Sequence, residues 1–215
     1  SSDVCSSDLA GLETTAIYDD KSKEFIINSP TQTSTKWWPG DMSRFSNHAI
    51  VYAQLIVGGK KIGLQPFLVQ TRDKENFQVM PGIEMGDMGS KFGYESKDNG
   101  WLRFSNVRIP KNHMLSRFSR IDDEGNFEIL GDLRVLYACM MMVRTHIVRY
   151  AGMCLMKALK VAIRYACVRR QFRTLEDDKK ERKLIDYQTH MHKLGPLLAR
   201  GFIIQVNGEI AARRQ

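Results

Sequence analysis

Residues 133–172 contain no proline and only one glycine, Gly152. A stretch this free of breakers predicts one long helix. Arg144, Arg149, Lys157, Lys160 and Arg164 interrupt its apolar runs and leave a broad apolar face to be buried. Residues 135–156 are its most apolar part, but Arg144 and Arg149 break them far below the roughly 20 residues a bilayer requires. No membrane span is expected. The polar residues 173–183 read as a loop. A second helix is predicted from about Leu184, kinked or divided at Pro196 and running past Gly208 to Gln215. Two helices with an unfilled apolar face read as the start of an incomplete helical bundle.

Upstream, the punctuation is that of short strands. Phe25-Ile26-Ile27-Asn28-Ser29-Pro30 is a short apolar run ending in turn residues. Residues 49–57 form a β-prone run that stops at Gly58-Gly59, and residues 65–70 form another after Lys60-Lys61. In the latter, Phe67 and Val69 share one face, Leu68 and Gln70 the other. Trp101, Phe104 and Val107 fall out of step by one residue, as a bulge would produce. Strands so closely spaced between residues 16 and 110 predict a small antiparallel barrel or sandwich. The fold class is therefore α+β, strands first and helices after.

Composition narrows the functional classes. The 215 residues are 43% hydrophobic and 26% charged, which is globular rather than disordered. Residues 1–9 stand apart: they show no periodicity and resemble the translation of a sequencing-library adaptor, so they are set aside as an artefactual leader. The remaining 32 basic and 22 acidic residues give a charge of +10 and call for an anionic partner. Basic residues spread along helices without an aromatic platform argue against nucleic acid and for phosphate-bearing cofactors. Cys139, Cys154 and Cys167 lie in apolar helical sequence and are expected to be buried, as suits a reducing compartment. Met140, Met141 and Met142 read as core filling. His190 and His192 sit two apart on different helix faces, and His48 and His113 have no carboxylate or Cys partner at ligand spacing, so no metal site is expected.

The most informative segment is Thr35-Lys36-Trp37-Trp38-Pro39-Gly40, which holds two of the chain's three tryptophans. With Ser46-Asn47-His48-Ala49, Pro81-Gly82-Ile83, Gly86-Asp87-Met88-Gly89, Lys91-Phe92-Gly93-Tyr94 and Val107-Arg108-Ile109-Pro110, it resembles the acyl-CoA oxidases. The resemblance continues through Asn112-His113-Met114-Leu115, Ala162-Ile163-Arg164-Tyr165 and Asp186-Tyr187-Gln188-Thr189, and covers essentially all of residues 10–215. It implies an antiparallel β-barrel middle domain (residues 10–117) binding FAD and acyl-CoA, a connecting segment (118–132), and the first helices of a C-terminal helical bundle (133–215).

The resemblance also implies site residues. Gly40 would offer its backbone amide to the flavin, where a side chain would block close approach. Trp38 would wall the ring, and Trp37 would pack into the barrel. Read from the residues alone, plain packing is the favoured reading of both tryptophans. Arg169, in Arg169-Arg170-Gln171-Phe172, would hold the FAD pyrophosphate of a neighbouring subunit through its guanidinium fork, implying a homodimer. Its residue-level alternative is a solvated basic turn that complements the helix dipole. Asp98-Asn99-Gly100 would lie near the acyl-CoA channel, or simply form the turn before Trp101.

The implied reaction is oxidation of an acyl-CoA to the trans-2-enoyl-CoA, with electrons passed to O2 to give hydrogen peroxide, in the peroxisome. The implied base is a Glu beyond residue 215 and the implied Thr-containing flavin motif precedes Gly11, so no catalytic residue is assigned within this chain. Alternatives are an acyl-CoA dehydrogenase, in which Trp-Ile-Thr or Trp-Ile-Ser replaces Trp-Trp-Pro-Gly, and a catalytically inactive relative.

Overall fold

The structure, a computed structural model, describes residues 11–132, 134–173 and 180–214. The expected leader, Leu133 and residues 174–179 of the expected loop lie outside the described residues. The chain divides into two compact units, one within residues 1–133 and one within residues 134–215.

The first unit is built of strands: β1 (Thr15–Asp19), β2 (Glu24–Asn28), β3 (Lys36–Gly40), β4 (His48–Val57), β5 (Lys60–Gln70), β6 (Ile83–Asp87), β7 (Asn99–Phe104), β8 (Val107–Pro110), β9 (Ser119–Ile121) and β10 (Phe127–Ile129). Period-two alternation decides which side of each strand is buried. It turns inward Ala16 and Tyr18 of β1, Phe25 and Ile27 of β2, Val51, Ala53 and Leu55 of β4, and Phe67 and Val69 of β5. Ile83, Leu102 and Phe104 join the same core from β6 and β7. Phe25 sits at its centre, with ring centroids 5.3 Å from Tyr18 and 5.0 Å from Phe67.

The expected barrel resolves into two sheets around this core. One runs β5-β4-β1-β2-β8 and the other β3-β7-β6, while β9 and β10 form a separate hairpin. Within the first sheet β1 pairs in parallel with β4, Thr15 opposite Gln54. Among the described strands neither ladder closes on itself. At one corner the sheets are sewn together: Ser29 N–H donates to the Phe104 carbonyl at 2.8 Å, and Phe104 N–H donates to Ser29 Oγ at 3.1 Å. The hairpin is tied to β5 by the buried bond from Ser119 Oγ to Gln65 Oε1, 2.8 Å.

The Gly58-Gly59 signal marks a tight hairpin between β4 and β5. Both glycines have positive φ, +54° and +78°, as a two-residue turn of this hand requires. The predicted bulge after Trp101 is instead a turn. Ser105 and Asn106 (φ +52°) carry the chain from β7 in one sheet to β8 in the other, which resets the alternation.

The second unit contains α1 (Val135–Val168), a short hairpin of β11 (Arg170–Arg173) and β12 (Glu181–Lys183), a 3-10 turn (Leu184–Asp186) and α2 (Gln188–Arg213). The first helix therefore ends four residues earlier than expected, and part of the predicted loop is strand. The second helix starts at Gln188, after a 3-10 turn. Pro196 lies inside α2 without dividing it. The proline removes one backbone donor, and packing against α1 carries the helix through the loss.

The two helices run antiparallel at glycine contacts. A Cβ on Gly208 would stand 2.7 Å from Arg149 Cα, and one on Gly152 would stand 2.8 Å from the Gln205 nitrogen. Arg149 and Glu209 add an ion pair at 2.9 Å. Among the described residues of this unit, α2 is the one helix laid along α1, so several residues expected inside are exposed. Cys154 and Cys167 are exposed, against the expectation of burial. Met141 and Met142 are likewise exposed rather than core filling, while the side chains of Cys139 and Met140 lie outside the described residues.

Candidate functional site

The Trp-Trp-Pro-Gly segment is β3, and its pairing explains its shape. Trp37 lies opposite Trp101 and Gly40 opposite Asn99, so β3 carries one residue more than β7 across the same span. That extra residue makes a bulge. Pro39 suits it, because a strand-interior proline would leave a ladder position without a donor. Trp38 takes φ +83° and Asp41 φ +60°. For a bulky residue this region is disfavoured by about 1–3 kcal/mol and persists only where the surroundings hold it.

The surroundings here are specific. Asn99 Nδ2 donates to the Trp38 carbonyl at 2.9 Å. The Asp98 carboxylate accepts the backbone N–H groups of Arg44 (2.9 Å) and Phe45 (3.3 Å). Lys97 pairs with Asp41 at 2.7 Å across the exposed side of the turn. Arg72, 6% exposed, donates to the carbonyls of Met42 (3.2 Å), Ser43 (2.6 Å) and Ser46 (2.8 Å). Ser43 Oγ donates to Asp87, whose carboxyl is held below the ordinary carboxylate range by the Gly89 N–H first and this hydroxyl second.

Gly40 is exposed at the end of this turn. A Cβ there would meet only the flexible end of Lys97, with Cε at 3.2 Å. Its bare backbone is thus a surface that a flat ligand could approach closely. Beside it, Asn99 Oδ1 is buried without a hydrogen-bond partner, a polar atom of the kind a bound ligand satisfies. Both features fit a flavin ring at the turn.

The two tryptophans do not occupy the core. Trp37 is 44% exposed and Trp38 37% exposed, while the intervening alternation buries Lys36. Packing of Trp37 into a barrel interior is therefore corrected. Its strand face points outward, where Trp37 and Trp101 border an open groove of about 470 Å³ with Thr33, Thr35, Glu84 and Arg103. Trp101 lies over Gly86, whose added Cβ would touch the indole nitrogen at 3.0 Å.

Arg169 belongs to the helical unit. It is the C-cap of α1, extended at φ −68° and ψ 128°, and its N–H donates to the Tyr165 carbonyl at 2.8 Å. Its carbonyl accepts the Leu184 N–H at 2.9 Å, and its side chain is exposed. The following Arg170 donates to the Glu181 carbonyl at 2.9 Å, and Phe172, at φ +59°, is exposed. Trp38 and Gly40 are thus brought together at one turn, while Arg169 is displayed where a helix gives way to a hairpin.

Sequence reasoning missed Arg72 and the tie between Asn99 and Trp38. A lone Arg after a strand carries no pattern, and the Asn99 partner is 61 positions away. His48 is engaged locally, its Nδ1 2.9 Å from Asn47 Oδ1. Among the described residues no three His, Cys, Asp or Glu side chains gather as a metal site, and no helix is long and apolar enough to cross a membrane.

The acyl-CoA oxidase C-alpha1 domain family matches residues 137–214. Peroxisomal acyl-coenzyme A oxidase 1 of Cavia porcellus is 46% identical over 200 residues, covering 93% of this chain and 30% of that protein. The chain belongs to the acyl-CoA oxidase family. The Homo sapiens oxidase of the same name is 44% identical over the same share of each chain. Among solved structures, Arabidopsis thaliana acyl-CoA oxidase 1 superposes with a TM-score of 0.90 at 43% identity, over 96% of this chain and 32% of that one. Acyl-CoA oxidase-2 of Caenorhabditis elegans, solved with FAD, ascaroside-CoA and ATP bound, gives 0.91 at 36% identity, over 97% and 31%. This acyl-CoA oxidase segment therefore spans about a third of the length of the relatives it matches.

Proposed function

We propose that this chain is a segment of an FAD-dependent acyl-CoA oxidase, which converts acyl-CoA to trans-2-enoyl-CoA and O2 to hydrogen peroxide in peroxisomal fatty-acid β-oxidation. The observation that carries the reading is the 46% identity over 200 residues with a peroxisomal acyl-coenzyme A oxidase. A related oxidase was solved with FAD and ascaroside-CoA bound, and the same ligand classes, a flavin dinucleotide and an acyl-CoA, are assigned here. In this reading residues 10–117 are the middle domain, in its finer description an antiparallel barrel. Residues 118–132 connect, residues 133–215 begin the C-terminal helical domain, and residues 1–9 are an artefactual leader.

When bound, FAD would supply the two-electron redox chemistry between the substrate's β-carbon and O2. The chain's own residues bind and orient. Gly40 presents backbone with no side chain in the way, and its N–H is assigned to the flavin ring. Trp38 is the ring's wall. Arg169, extended at the end of α1, is assigned to the FAD pyrophosphate of the second subunit of a homodimer, where a guanidinium fork suits phosphate oxygens. No Glu of this chain is assigned the role of the base that takes the α-proton.

The test uses the full-length protein purified with its flavin. Supplied with a saturated acyl-CoA in air, it is expected to form peroxide and enoyl-CoA in equal amounts. Enoyl-CoA formed only when a flavoprotein electron acceptor is added would replace the oxidase by a dehydrogenase. Flavin bound but neither product formed would make it an inactive relative.

A further inference from the structure

We infer that Asn99 is a positioning residue that holds the Trp38–Gly40 turn in the form that offers the Gly40 backbone to the flavin. The inference rests on the assignment of Gly40 to the flavin. Asn99 is 5% exposed and stands opposite Gly40 in the β3–β7 register. Its Nδ2 donates to the Trp38 carbonyl at 2.9 Å, which fixes the orientation of the amide, since only the nitrogen can donate.

The carbonyl it grips belongs to the strained residue. Trp38 adopts φ +83° and is followed by Pro39, which has no N–H to return to the ladder. The turn's own backbone therefore does not hold it, and a side chain from a strand 61 positions away does. The other amide atom, Oδ1, is buried without a hydrogen-bond partner. A residue serving only the fold would be expected to use both ends of its amide. Neighbouring residues register the loop but leave Trp38 alone: Asp98 holds the N–H groups of Arg44 and Phe45, and Lys97 pairs with Asp41.

The experiment compares full-length holoenzyme with Asn99→Leu, which keeps the volume and removes the donor. FAD affinity is read on the apoprotein by quenching of flavin fluorescence, together with the flavin absorption spectrum, kcat and KM. Weakening of FAD by about tenfold, an altered flavin spectrum and a kcat reduced about tenfold, with KM for acyl-CoA within about twofold, are expected. A lower melting temperature with unchanged flavin spectrum and affinity would overturn the inference.

Asn99→Asp, nearly isosteric, loses the donor when ionised and is expected to act in the same direction. If both variants fail to fold even with excess FAD, Asn99 is structural and the inference is overturned. Gly40→Val separates the two claims. If it leaves flavin affinity and spectrum untouched, the flavin assignment of the turn itself fails. If it disturbs them while the Asn99 variants do not, only the positioning role fails.

Discussion

Arg72 places its guanidinium 2.6 Å from the Ser43 carbonyl, although the two residues belong to segments separated by two complete strands. The same group takes the carbonyls of Met42 and Ser46, so a buried cation is solvated by the backbone of one turn. Arg72→Met would strand the Met42 and Ser43 carbonyls, while the Ser46 carbonyl keeps the Thr71 hydroxyl at 3.4 Å. Each unsatisfied group costs about 1–3 kcal/mol, partly offset by no longer burying a charge. A net loss of about 2–4 kcal/mol is expected as a lower urea midpoint at constant slope. A change below about 0.5 kcal/mol would show that water replaces the guanidinium at no cost.

Two glycines of the same region should respond differently to alanine. A Cβ on Gly100 would lie 2.7 Å from both the Gly86 oxygen and the Ser43 nitrogen, and 3.0 Å from the Met42 carbonyl carbon. All three are backbone atoms and none can rotate away. Gly100→Ala is expected to destabilise by about 2–3 kcal/mol. A methyl added at Gly93 would have no neighbour within 4 Å, and Gly93→Ala should stay within about 0.5 kcal/mol in the same denaturation assay.

In the helical unit two effects of opposite sign compete at Gly208. Alanine there improves helix propensity by about 1 kcal/mol. Against that, its methyl would sit 2.7 Å from Arg149 Cα and 3.0 Å from Arg149 N, forcing α1 and α2 apart at about 1–3 kcal/mol. Net destabilisation is expected. Gly201 meets side-chain ends instead, Met156 Sδ at 2.9 Å and Leu159 Cδ1 at 3.2 Å, which can move. Gly201→Ala should therefore be milder, and an inverted order of the two melting temperatures would refute the backbone-contact argument.

Acid should weaken the end of the β1–β2 hairpin, where Arg108 of β8 reaches its carboxylates. Arg108 donates to Asp19 at 3.1 Å and to Glu24 at 2.9 Å. The Asp19 carboxyl is held below its ordinary value by Arg108 first and by Ser22 next. A lowered folded-state value means that this stability is present above the unfolded value of about 3.9 and is lost as pH falls through the folded one. Asp19→Asn should lower stability at neutral pH and flatten the acid limb of the stability–pH curve. Urea midpoints from about pH 2 to 6, run beside the parent protein, measure both. An acid limb with unchanged slope would assign the loss to other carboxylates.

Residues close together in sequence carried most of the fold on their own. Alternation put Phe67 and Val69 on one face, which the structure buries, Gly58-Gly59 marked the hairpin, and the breaker-free run marked α1, because each depends on a backbone preference or a period shorter than a turn of helix. The Trp-Trp-Pro-Gly segment carried the resemblance to the family. What the tertiary structure alone decided are pairings across long loops. Opposing Trp37 to Trp101 in a bulged ladder turned both β3 tryptophans outward and buried Lys36. The parallel joining of β1 to β4 and the sharing of the strands between two sheets are pairings of the same long-range kind. Cys154 and Cys167 lie in sequence as apolar as any core, yet are exposed, because burial of a helix face depends on which neighbour covers it. The bonds made by Arg72 and by the Asn99 side chain have no local signature. Their partners are carbonyl groups, which every residue possesses, and only the folded chain chooses among them.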